Sequence, residues 1–177
     1  MASVMRHVQH LLAVAAIAAV ATHGVTTTHL QFYMHDTVTP SAGSPATAVR
    51  VVRGPTPAPG DPINRFGDLY VIDDPLTEGP DLASRAVGRA QGFYLMASRS
   101  IDQLLLSANM AFTAGKYNGS SITLLGRDAI FDEIRELPVV GGTGGFHGAA
   151  GYGLIRTHSL NASNNNAVLV IDMYLML

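Results

Sequence analysis

The segment from Ile72 to Met96 reads IDDPLTEGPDLASRAVGRAQGFYLM and is the most informative part of the sequence for predicting the fold. Its first part, Asp73–Pro80, combines two prolines and a glycine with three acidic side chains, a composition that excludes a helix. The second part, Ala86–Met96, has the residue types of a strand. We therefore predict a stiff acidic loop at the mouth of a strand. Such a loop forms either the rim of a binding site or an ordinary solvated connection.

Alternating apolar and polar residues predict further strands on both sides of this segment. Turns rich in Gly, Asn or Pro separate them, and the proline-rich stretch Gly54–Pro62 cannot form a helix or an inner strand. No amphipathic helix of useful length is apparent in residues 22–177. Eight or nine short strands without helices indicate an all-β fold, either a closed barrel or a sandwich. The predicted strands are Leu30–Thr37, Ala46–Arg53, Phe66–Ile72, Ala86–Ser98, Gln103–Phe112, Ser121–Leu125, Ile134–Val139, Gly151–His158 and Ala167–Leu175.

The N-terminal residues have the pattern of a cleavable signal peptide. Arg6 precedes an apolar run, Leu11–Ala21, that is too short to span a bilayer, and Ala19-Val20-Ala21 offers small residues for cleavage. An N-terminal anchor is the alternative that the short run disfavours. We predict a signal peptide at residues 1–21, a mobile arm from Thr22 to His29, and a single secreted domain within residues 22–177.

Charge and composition argue against several classes of function. The chain has 11 basic and 13 acidic side chains and a single lysine, so it lacks the clustered cations of nucleic-acid-binding proteins. It contains no cysteine, which excludes thiol nucleophiles and cysteine-ligated metals. The histidines of residues 22–177 are scattered, and the glycines of Gly141–Gly145 lack the following Lys-Ser/Thr of a phosphate loop. We expect no metal and no cofactor. Two sequons, at Asn118 and Asn161, are predicted glycosylation sites.

Five motifs, in this order, give the chain a resemblance to a known family. They are Phe32-Tyr33-Met34-His35-Asp36, Asp73–Pro80, Gly88–Tyr94, Phe112–Ser120 and Pro138–Gly144. This set resembles the signature of the plant dirigent proteins. The resemblance implies an eight-stranded antiparallel β-barrel, just wide enough to enclose one small ligand. It also implies a protein of the apoplast or cell wall that assembles into a homo-oligomer, either a dimer or a trimer, with a part in plant defence.

Asp36 is the leading candidate for a chemical role. It shares a strand face with Phe32 and Met34. If that face points inward, the carboxyl is desolvated, its pKa rises, and it becomes a usable general acid. The alternative is a solvated carboxylate at a strand end. The resemblance implies that Asp36 lines the ligand pocket, with Phe32 as a substrate-binding neighbour.

Two further residues are weaker candidates. Asp128 follows Arg127, so it is either an acidic residue at the barrel mouth, as the resemblance implies, or part of a surface ion pair. Tyr94 could stack on an aromatic ligand and hydrogen-bond a phenol, or it could be an ordinary core tyrosine. Arg89 lies on the opposite strand face from Tyr94, so only one of the two should point inward.

The chain also departs from the family. Many dirigent proteins carry arginines after the glycine loop, where this chain has His147 and Ala150. We expect His147 to contact the substrate in place of an arginine fork, and this change makes substrate orientation uncertain.

The resemblance implies a function in positioning reactive phenolics. A dirigent protein binds phenoxy radicals, which a separate laccase or peroxidase generates from a monolignol such as coniferyl alcohol, and imposes one stereochemistry on their coupling to a lignan. No oxidase activity of its own is expected, although Asp36 and Asp128 could assist an acid-catalysed cyclisation. Two alternatives stay open: a non-radical cyclase or dehydratase acting on a phenolic, and a non-enzymatic defence protein that binds phenolics or glycans.

Overall fold

The computed structural model describes residues 26–58, 61–100 and 103–177. The predicted signal peptide lies outside the described residues. The predicted mobile arm extends to His29, but the first strand already begins at Thr27. Within the described part of the chain, no helix has the length and apolar character needed to cross a membrane.

The structure is built almost entirely of strands. They are β1 (Thr27–Asp36), β2 (Ala48–Val52), β3 (Thr56–Ala58), β4 (Asp61–Phe66), β5 (Leu69–Thr77), β6 (Ala86–Met96), β7 (Leu104–Phe112), β8 (Ser121–Asp128), β9 (Arg135–Thr143), β10 (Ala150–Asn161) and β11 (Asn166–Met176). Each strand from β5 to β11 pairs antiparallel with the next one along the chain. β1 closes this sheet into a barrel, because it pairs with β11 at one edge of the sheet and with β5 at the other. The predicted eight-stranded antiparallel barrel is therefore confirmed.

β5 changes its partner along its length. Its first half pairs with β2, from Val52↔Leu69 to Ala48↔Ile72, and its end pairs with β1 through Met34↔Leu76 and Tyr33↔Thr77. Pro75 lies between the two pairings, where its missing N–H breaks no ladder to either strand. The stretch from Asp73 to Thr77, predicted as a loop, is thus strand, and the loop comprises residues 78–85.

Other strands also extend beyond the predicted limits. β8 continues to Asp128 and β9 starts at Arg135, so both charged residues lie at strand ends. The proline-rich stretch contributes to a small ribbon, formed by β3 and β4, outside the barrel sheet. Its exclusion from the inner sheet agrees with the lack of proline N–H donors.

Aromatic side chains fill one end of the barrel. Two short 3-10 turns, Gly115–Tyr117 and Gly144–Phe146, bring Tyr117 and Phe146 there, with ring centroids 4.4 Å apart. Phe146 also packs on Phe112, and Phe112 meets Phe32 edge to face at 5.8 Å. This cluster closes the barrel end at which β7 and β9 finish, and any ligand must enter from the other end.

Candidate functional site

A cavity of about 280 Å³ opens at the end of the barrel opposite the aromatic cluster. Its wall is made where β1, β6, β8 and β10 finish and where β5, β7, β9 and β11 begin. Most of its lining side chains are apolar. They include Met34, Val38, Met96, Leu104, Leu106, Ile130, Phe131, Leu160, Ala167 and Leu169. The polar groups converge on this apolar space in two places.

Asp36 forms the first polar place. It ends β1 directly after the buried Met34 and His35, on the same face as Met34, as the alternation of the strand requires. The side chain is half-buried and lines the cavity, but its Oδ1 atom is buried and has no hydrogen-bond partner among the described residues. An ionised carboxylate would be poorly solvated in this position.

Asp74 lies close to Asp36 although it does not line the cavity. Beyond Met34↔Leu76 the backbone of Thr47 bonds to both Thr37 and Asp73, and the Asp36 charge still acts on the Asp74 carboxyl. Asp74 is fully buried, and neither carboxylate oxygen finds a hydrogen-bond partner within the described part of the chain. The nearby Thr47 hydroxyl donates to the His35 carbonyl at 3.2 Å, and it is also the polar neighbour that partly offsets the effect of burial on the pKa of Asp74.

The two carboxyls favour their neutral forms. Burial raises the pKa of Asp36 to about 7. Burial also raises the pKa of Asp74 to about 8, and the negative charge of Asp36 adds to this effect. Two carboxylates that share a low-dielectric site cannot both ionise cheaply, so at least one proton stays on the pair near neutral pH.

Two stacked tyrosines adjoin this acidic pair. The Tyr70 and Tyr94 rings lie 4.8 Å apart with planes 19° from parallel, and both line the cavity. Burial is the largest of the causes that raise the pKa of Tyr94, so its phenol stays protonated and can donate a hydrogen bond. Arg89 points the other way and pairs with Asp73 on the outside of the barrel.

The second polar place is a buried ion pair between Asp128 and Arg135. The Arg135 Nη1 atom lies 3.4 Å from Asp128 Oδ1, longer than the roughly 2.7–2.9 Å of a strong charge-assisted hydrogen bond. The other contacts of the guanidinium are also long, at 3.5 Å to the Ile155 carbonyl and 3.3 Å to Thr157 Oγ1. Burial raises the pKa of Asp128 and lowers that of Arg135. An anionic or phenolic oxygen in the cavity would give Arg135 a better partner.

The site is thus suited to acid chemistry on an apolar ligand. It offers a carboxyl at Asp36 whose pKa is raised to about 7, a phenol donor at Tyr94 and a cation at Arg135, all around one cavity. Within the residues that the structure describes, no group of three or more His, Asp or Glu side chains could hold a metal ion.

Comparison with known proteins agrees with this geometry. The family model for dirigent-like proteins matches residues 27–176, which is the whole barrel. The chain belongs to the dirigent family. It is 40% identical to dirigent protein 21 of Arabidopsis thaliana over 148 residues, covering 84% of this chain and 76% of that protein.

Some dirigent relatives are named for a specific reaction. The chain is 39% identical to pterocarpan synthase 1 of Glycine max over 148 residues, covering 83% of this chain and 77% of the relative. It also superposes on the solved structure of the pterocarpan synthase dirigent protein GePTS1 with a TM-score of 0.78 and 36% identity, covering 86% of this chain and 85% of that one.

The dirigent barrel brings together three of the five residues predicted to act in the site. Asp36, Tyr94 and Asp128 all line the cavity. Phe32 points inward on the same face as Asp36 but belongs to the aromatic cluster at the closed end. His147 is exposed after the Gly144–Phe146 turn, where its Nδ1 atom lies 3.0 Å from the Gly144 carbonyl oxygen, and it is not among the cavity-lining residues.

Two important side chains were missed by sequence reasoning. Arg135 places a guanidinium in the cavity, so a positive charge is present there although His147 and the exposed Ala150 do not supply it. The signal that could have found it is its short spacing from Asp128, because the β8–β9 connection brings the two side chains to 3.4 Å. Asp74 was read as part of an acidic loop, yet its alternation with the buried Ile72 and Leu76 already marked it as inward-facing.

The two sequons lie on the surface. Asn118 is exposed after the Gly115–Tyr117 turn, and Asn161 is exposed at the end of β10. Both positions leave room for a glycan.

Proposed function

We propose that this dirigent protein closes a ring in a single phenolic substrate, with loss of water and with control of the product stereochemistry. The observation that carries the proposal is a pair of buried carboxyls whose pKa values are raised to about 7 and about 8, beside an apolar cavity of about 280 Å³. A neutral carboxylic acid can donate a proton, whereas the capture and coupling of radicals does not call for one.

The cavity volume favours the binding of one substrate molecule over the binding of two. Pockets for single small molecules span roughly 300–1,000 Å³, so about 280 Å³ lies at the lower limit. Two separate phenylpropanoids would not both fit inside. One molecule with two linked aromatic rings would fill the cavity and leave little room for water.

The proposed reaction starts from a phenol that carries a benzylic hydroxyl. Asp36 donates its proton to that hydroxyl, the carbon–oxygen bond breaks, and water leaves. The conjugated phenol releases its proton, which balances the proton given by Asp36, and the substrate becomes a quinone methide. A second phenol of the same molecule then adds to the methide carbon. It loses its proton as the methide oxygen regains one, so the net change is the loss of one water.

The remaining polar groups orient this reaction. Arg135 can bind the phenol oxygen that becomes the methide carbonyl, because its present contacts are long. Tyr94 can donate a hydrogen bond to the other end of the substrate and pack against its ring. Holding both ends fixes the face of the methide that the second phenol attacks, which sets the stereochemistry.

The relatives support this choice. A pterocarpan synthase is named for making a pterocarpan, and the chain is similar to such proteins both in sequence and in structure. A pterocarpan contains a ring that, when opened by addition of water, gives an isoflavanol with a 2′-hydroxyl. That isoflavanol has the benzylic hydroxyl and the internal phenol that the mechanism requires.

A second candidate is the stereoselective coupling of two phenoxy radicals to a lignan, with a separate laccase or peroxidase as the oxidant. The apolar mouth of the cavity favours it, because Phe131 and Leu160 are 75% and 55% exposed and could hold a second ring outside the cavity. In this case the protein positions the radicals, and the acidic pair acts only on a later quinone methide.

Turnover with and without an oxidant decides between the two candidates. The purified protein is incubated with the racemic 2′-hydroxyisoflavanol alone, and separately with coniferyl alcohol plus a laccase, and the products are resolved by chiral chromatography. We expect an optically active, dehydrated product from the isoflavanol without oxidant. If only the laccase reaction gives an enantiomeric excess, radical coupling replaces ring closure as the function.

We further propose that the protein acts outside the cell and carries glycans. The signal-peptide pattern of residues 1–21 and the exposed sequons at Asn118 and Asn161 support this proposal. N-terminal sequencing of material from the cell wall should begin near Thr22, and sequencing that finds Met1 would contradict it.

A further inference from the structure

We infer that Asn64 is a specificity-determining residue of the cavity, where its side-chain amide recognises a hydroxyl on the substrate ring that lies against Tyr70 and Tyr94. Asn64 belongs to β4, which lies outside the barrel sheet, yet it is among the residues that line the cavity. This role rests on the proposed function in taking a phenolic as the ligand, but binding tests it without any turnover.

Asn64 extends the polar surface formed by the two stacked tyrosines. The Tyr70 hydroxyl donates to the Asn64 amide oxygen at 3.4 Å, and the Tyr70 ring stacks on Tyr94 with 4.8 Å between centroids. A donor–acceptor distance of 3.4 Å is long for a hydrogen bond, so this contact is weak. A ligand hydroxyl at this place can accept from the amide nitrogen and donate to the amide oxygen, because the weak bond to Tyr70 is lost at little cost.

An ion pair fixes the backbone on both sides of Asn64. Arg50 Nη1 donates to the Ile63 carbonyl and to Asp68 Oδ2, each at 3.0 Å. The same Asp68 oxygen accepts the backbone N–H of Arg65, also at 3.0 Å. The two peptide groups that flank Asn64 are therefore bonded to one ion pair, whose carboxylate is fully buried. These bonds set the direction in which the Asn64 side chain leaves β4.

The Asp68 carboxylate also ties β4 to the rest of the molecule. Its Oδ1 atom accepts the backbone N–H of Gly54 at 2.6 Å. Gly54 leaves no space for a side chain, because an added Cβ atom would lie 2.0 Å from the Phe66 carbonyl oxygen. The backbone groups of Gly67 and Asp68 bond to Met96 at the end of β6. The base of the ribbon is thus docked closely on the barrel, so Asn64 is held in place before a ligand arrives, which lowers the entropy cost of binding.

The position of Asn64 decides which part of the substrate it meets. In the proposed reaction, Arg135 binds the phenol that becomes the methide carbonyl, and Tyr94 holds the other end of the molecule. Asn64 lies at the Tyr94 end, since Tyr70 contacts both residues, and it therefore meets the ring that carries the attacking phenol. In a 2′-hydroxyisoflavanol, the 4′ position of this ring projects farthest from the ring junction. We expect a preference for a 4′-hydroxyl, which can donate and accept, over a hydrogen.

Two isoflavans measure this preference without any reaction, because they lack the benzylic hydroxyl that leaves as water. One carries hydroxyls at the 2′ and 4′ positions and the other only at the 2′ position, and both carry the phenol that meets Arg135. In calorimetry, the wild type should bind the 4′-hydroxylated isoflavan about tenfold more tightly than the other. In Asn64→Ala, this ratio should fall to about twofold or less, while the affinity for the isoflavan without the 4′-hydroxyl stays within about twofold of the wild type. An equal ratio in the two proteins, or no binding of either isoflavan to the wild type, would overturn the inference.

Arg50 is a positioning residue that acts through Asn64, and Arg53 provides its matched control. Arg53 is exposed and follows β2 directly. Arg50→Met and Arg53→Met each remove one positive charge, but only the first breaks the bonds to Ile63 and Asp68. We expect the affinity ratio of the two isoflavans to fall at least about threefold in Arg50→Met and to keep its wild-type value in Arg53→Met. Arg50→Lys should restore most of the ratio, because a single ammonium can replace Nη1 in both bonds. An unchanged ratio in Arg50→Met would exclude the positioning role.

A double variant separates positioning from a general loss of structure. If Arg50 acts through Asn64, adding Arg50→Met to Asn64→Ala should leave the affinity ratio where Asn64→Ala alone puts it. A second fall of about threefold in the double variant would mean that Arg50 acts by another route, and it would overturn the positioning role. A folding defect weakens the binding of both isoflavans alike, so it does not produce the expected change in their ratio.

Binding and turnover can fail independently. If the ratio falls in Asn64→Ala but the 2′-hydroxyisoflavanol undergoes no ring closure, Asn64 determines specificity for phenolics and the proposed function fails. If ring closure occurs and the ratio is the same in wild type and Asn64→Ala, the proposed function stands and the role of Asn64 is refuted.

Discussion

Replacing Asp74 by asparagine should make the folding stability less dependent on pH. An unfolded aspartate has a pKa of about 3.9, so it is ionised above pH 5. Burial and the Asp36 charge raise the pKa of the folded Asp74 to about 8, so the folded carboxyl keeps its proton. A group whose folded pKa is raised contributes stability at low pH, and this contribution is lost as the pH rises from about 4 towards the folded pKa.

The magnitude follows from the number of protons retained. Each retained proton lowers the free energy of unfolding by about 1.4 kcal/mol for every pH unit. Between pH 5 and pH 7, Asp74 alone should therefore remove about 3 kcal/mol of stability, an upper estimate because Asp36 shares the effect. For a domain of this size, that corresponds to roughly 6–12 °C in Tm.

Other titrating groups do not hide the effect. Burial lowers the pKa of His35, which makes the protein more stable as the pH rises towards 6.5, but this contribution is the same in wild type and variant. Interaction with Arg89 lowers the pKa of Asp73, so its contribution changes only at lower pH. Asp73→Asn should keep the wild-type dependence between pH 5 and pH 7.

Urea unfolding followed by far-ultraviolet circular dichroism at pH 5 and pH 7 provides the measurement. The quantity compared is the loss of unfolding free energy between the two pH values, because any pH-independent effect of the asparagine then cancels. We expect a clearly smaller loss in Asp74→Asn than in the wild type and in Asp73→Asn. Equal losses in the three proteins would refute the reasoning.

Three further variants test other parts of the structure. Phe146→Ala empties the aromatic cluster at the closed end and should reduce the unfolding free energy by about 3–5 kcal/mol, measured by urea unfolding; a change below about 1 kcal/mol would mean that the cluster does not close the barrel. Phe131→Ala removes an exposed ring at the cavity mouth and should weaken phenolic binding about tenfold in calorimetry without altering stability, whereas unchanged affinity would place the ligand elsewhere. Arg135→Lys keeps the charge but loses the planar fork, so substrate binding should weaken at least about tenfold and the product excess should fall; wild-type values for both would exclude Arg135 from orienting the substrate.

The barrel was predictable because most strands show the alternation that an inside and an outside impose. In β1, Phe32, Met34 and Asp36 occupy every second position, and all three point inward. The alternation of residue types along this one strand is therefore enough to predict the cavity-facing carboxyl. The short turns and the lack of helical periodicity in the sequence then limit the fold to a closed or stacked sheet.

The Asp73–Thr77 stretch was misread because its local chemistry is that of a turn. A proline within a strand is tolerated here only because β5 changes partners at that point, from β2 to β1. This exchange depends on strands distant in sequence, so local propensity could not reveal it. The same exchange buries Asp74, which explains why a residue of the acidic motif became part of the site.

The source of the positive charge in the cavity shows a second limit of prediction from sequence. His147 was expected to stand in for an arginine, but the Gly144–Phe146 turn leaves it exposed after β9 has finished. Arg135 begins β9, and the antiparallel pairing of strands puts the two ends of β9 at opposite ends of the barrel. Which residues reach the cavity was therefore decided by the direction of each strand.

The pH dependence of ring closure by wild-type protein and Asp36→Asn, measured without any oxidant, tests the central claim most directly. The claim is that a protonated Asp36 drives a stereocontrolled dehydration within the cavity. With the racemic 2′-hydroxyisoflavanol as substrate, kcat of the wild type should be high below pH 7 and fall as the pH rises through about 7, where Asp36 loses its proton. Asp36→Asn should remain folded and show no enantiomeric excess at any pH. An Asp36→Asn protein that matches the wild type in rate and product excess would contradict the account.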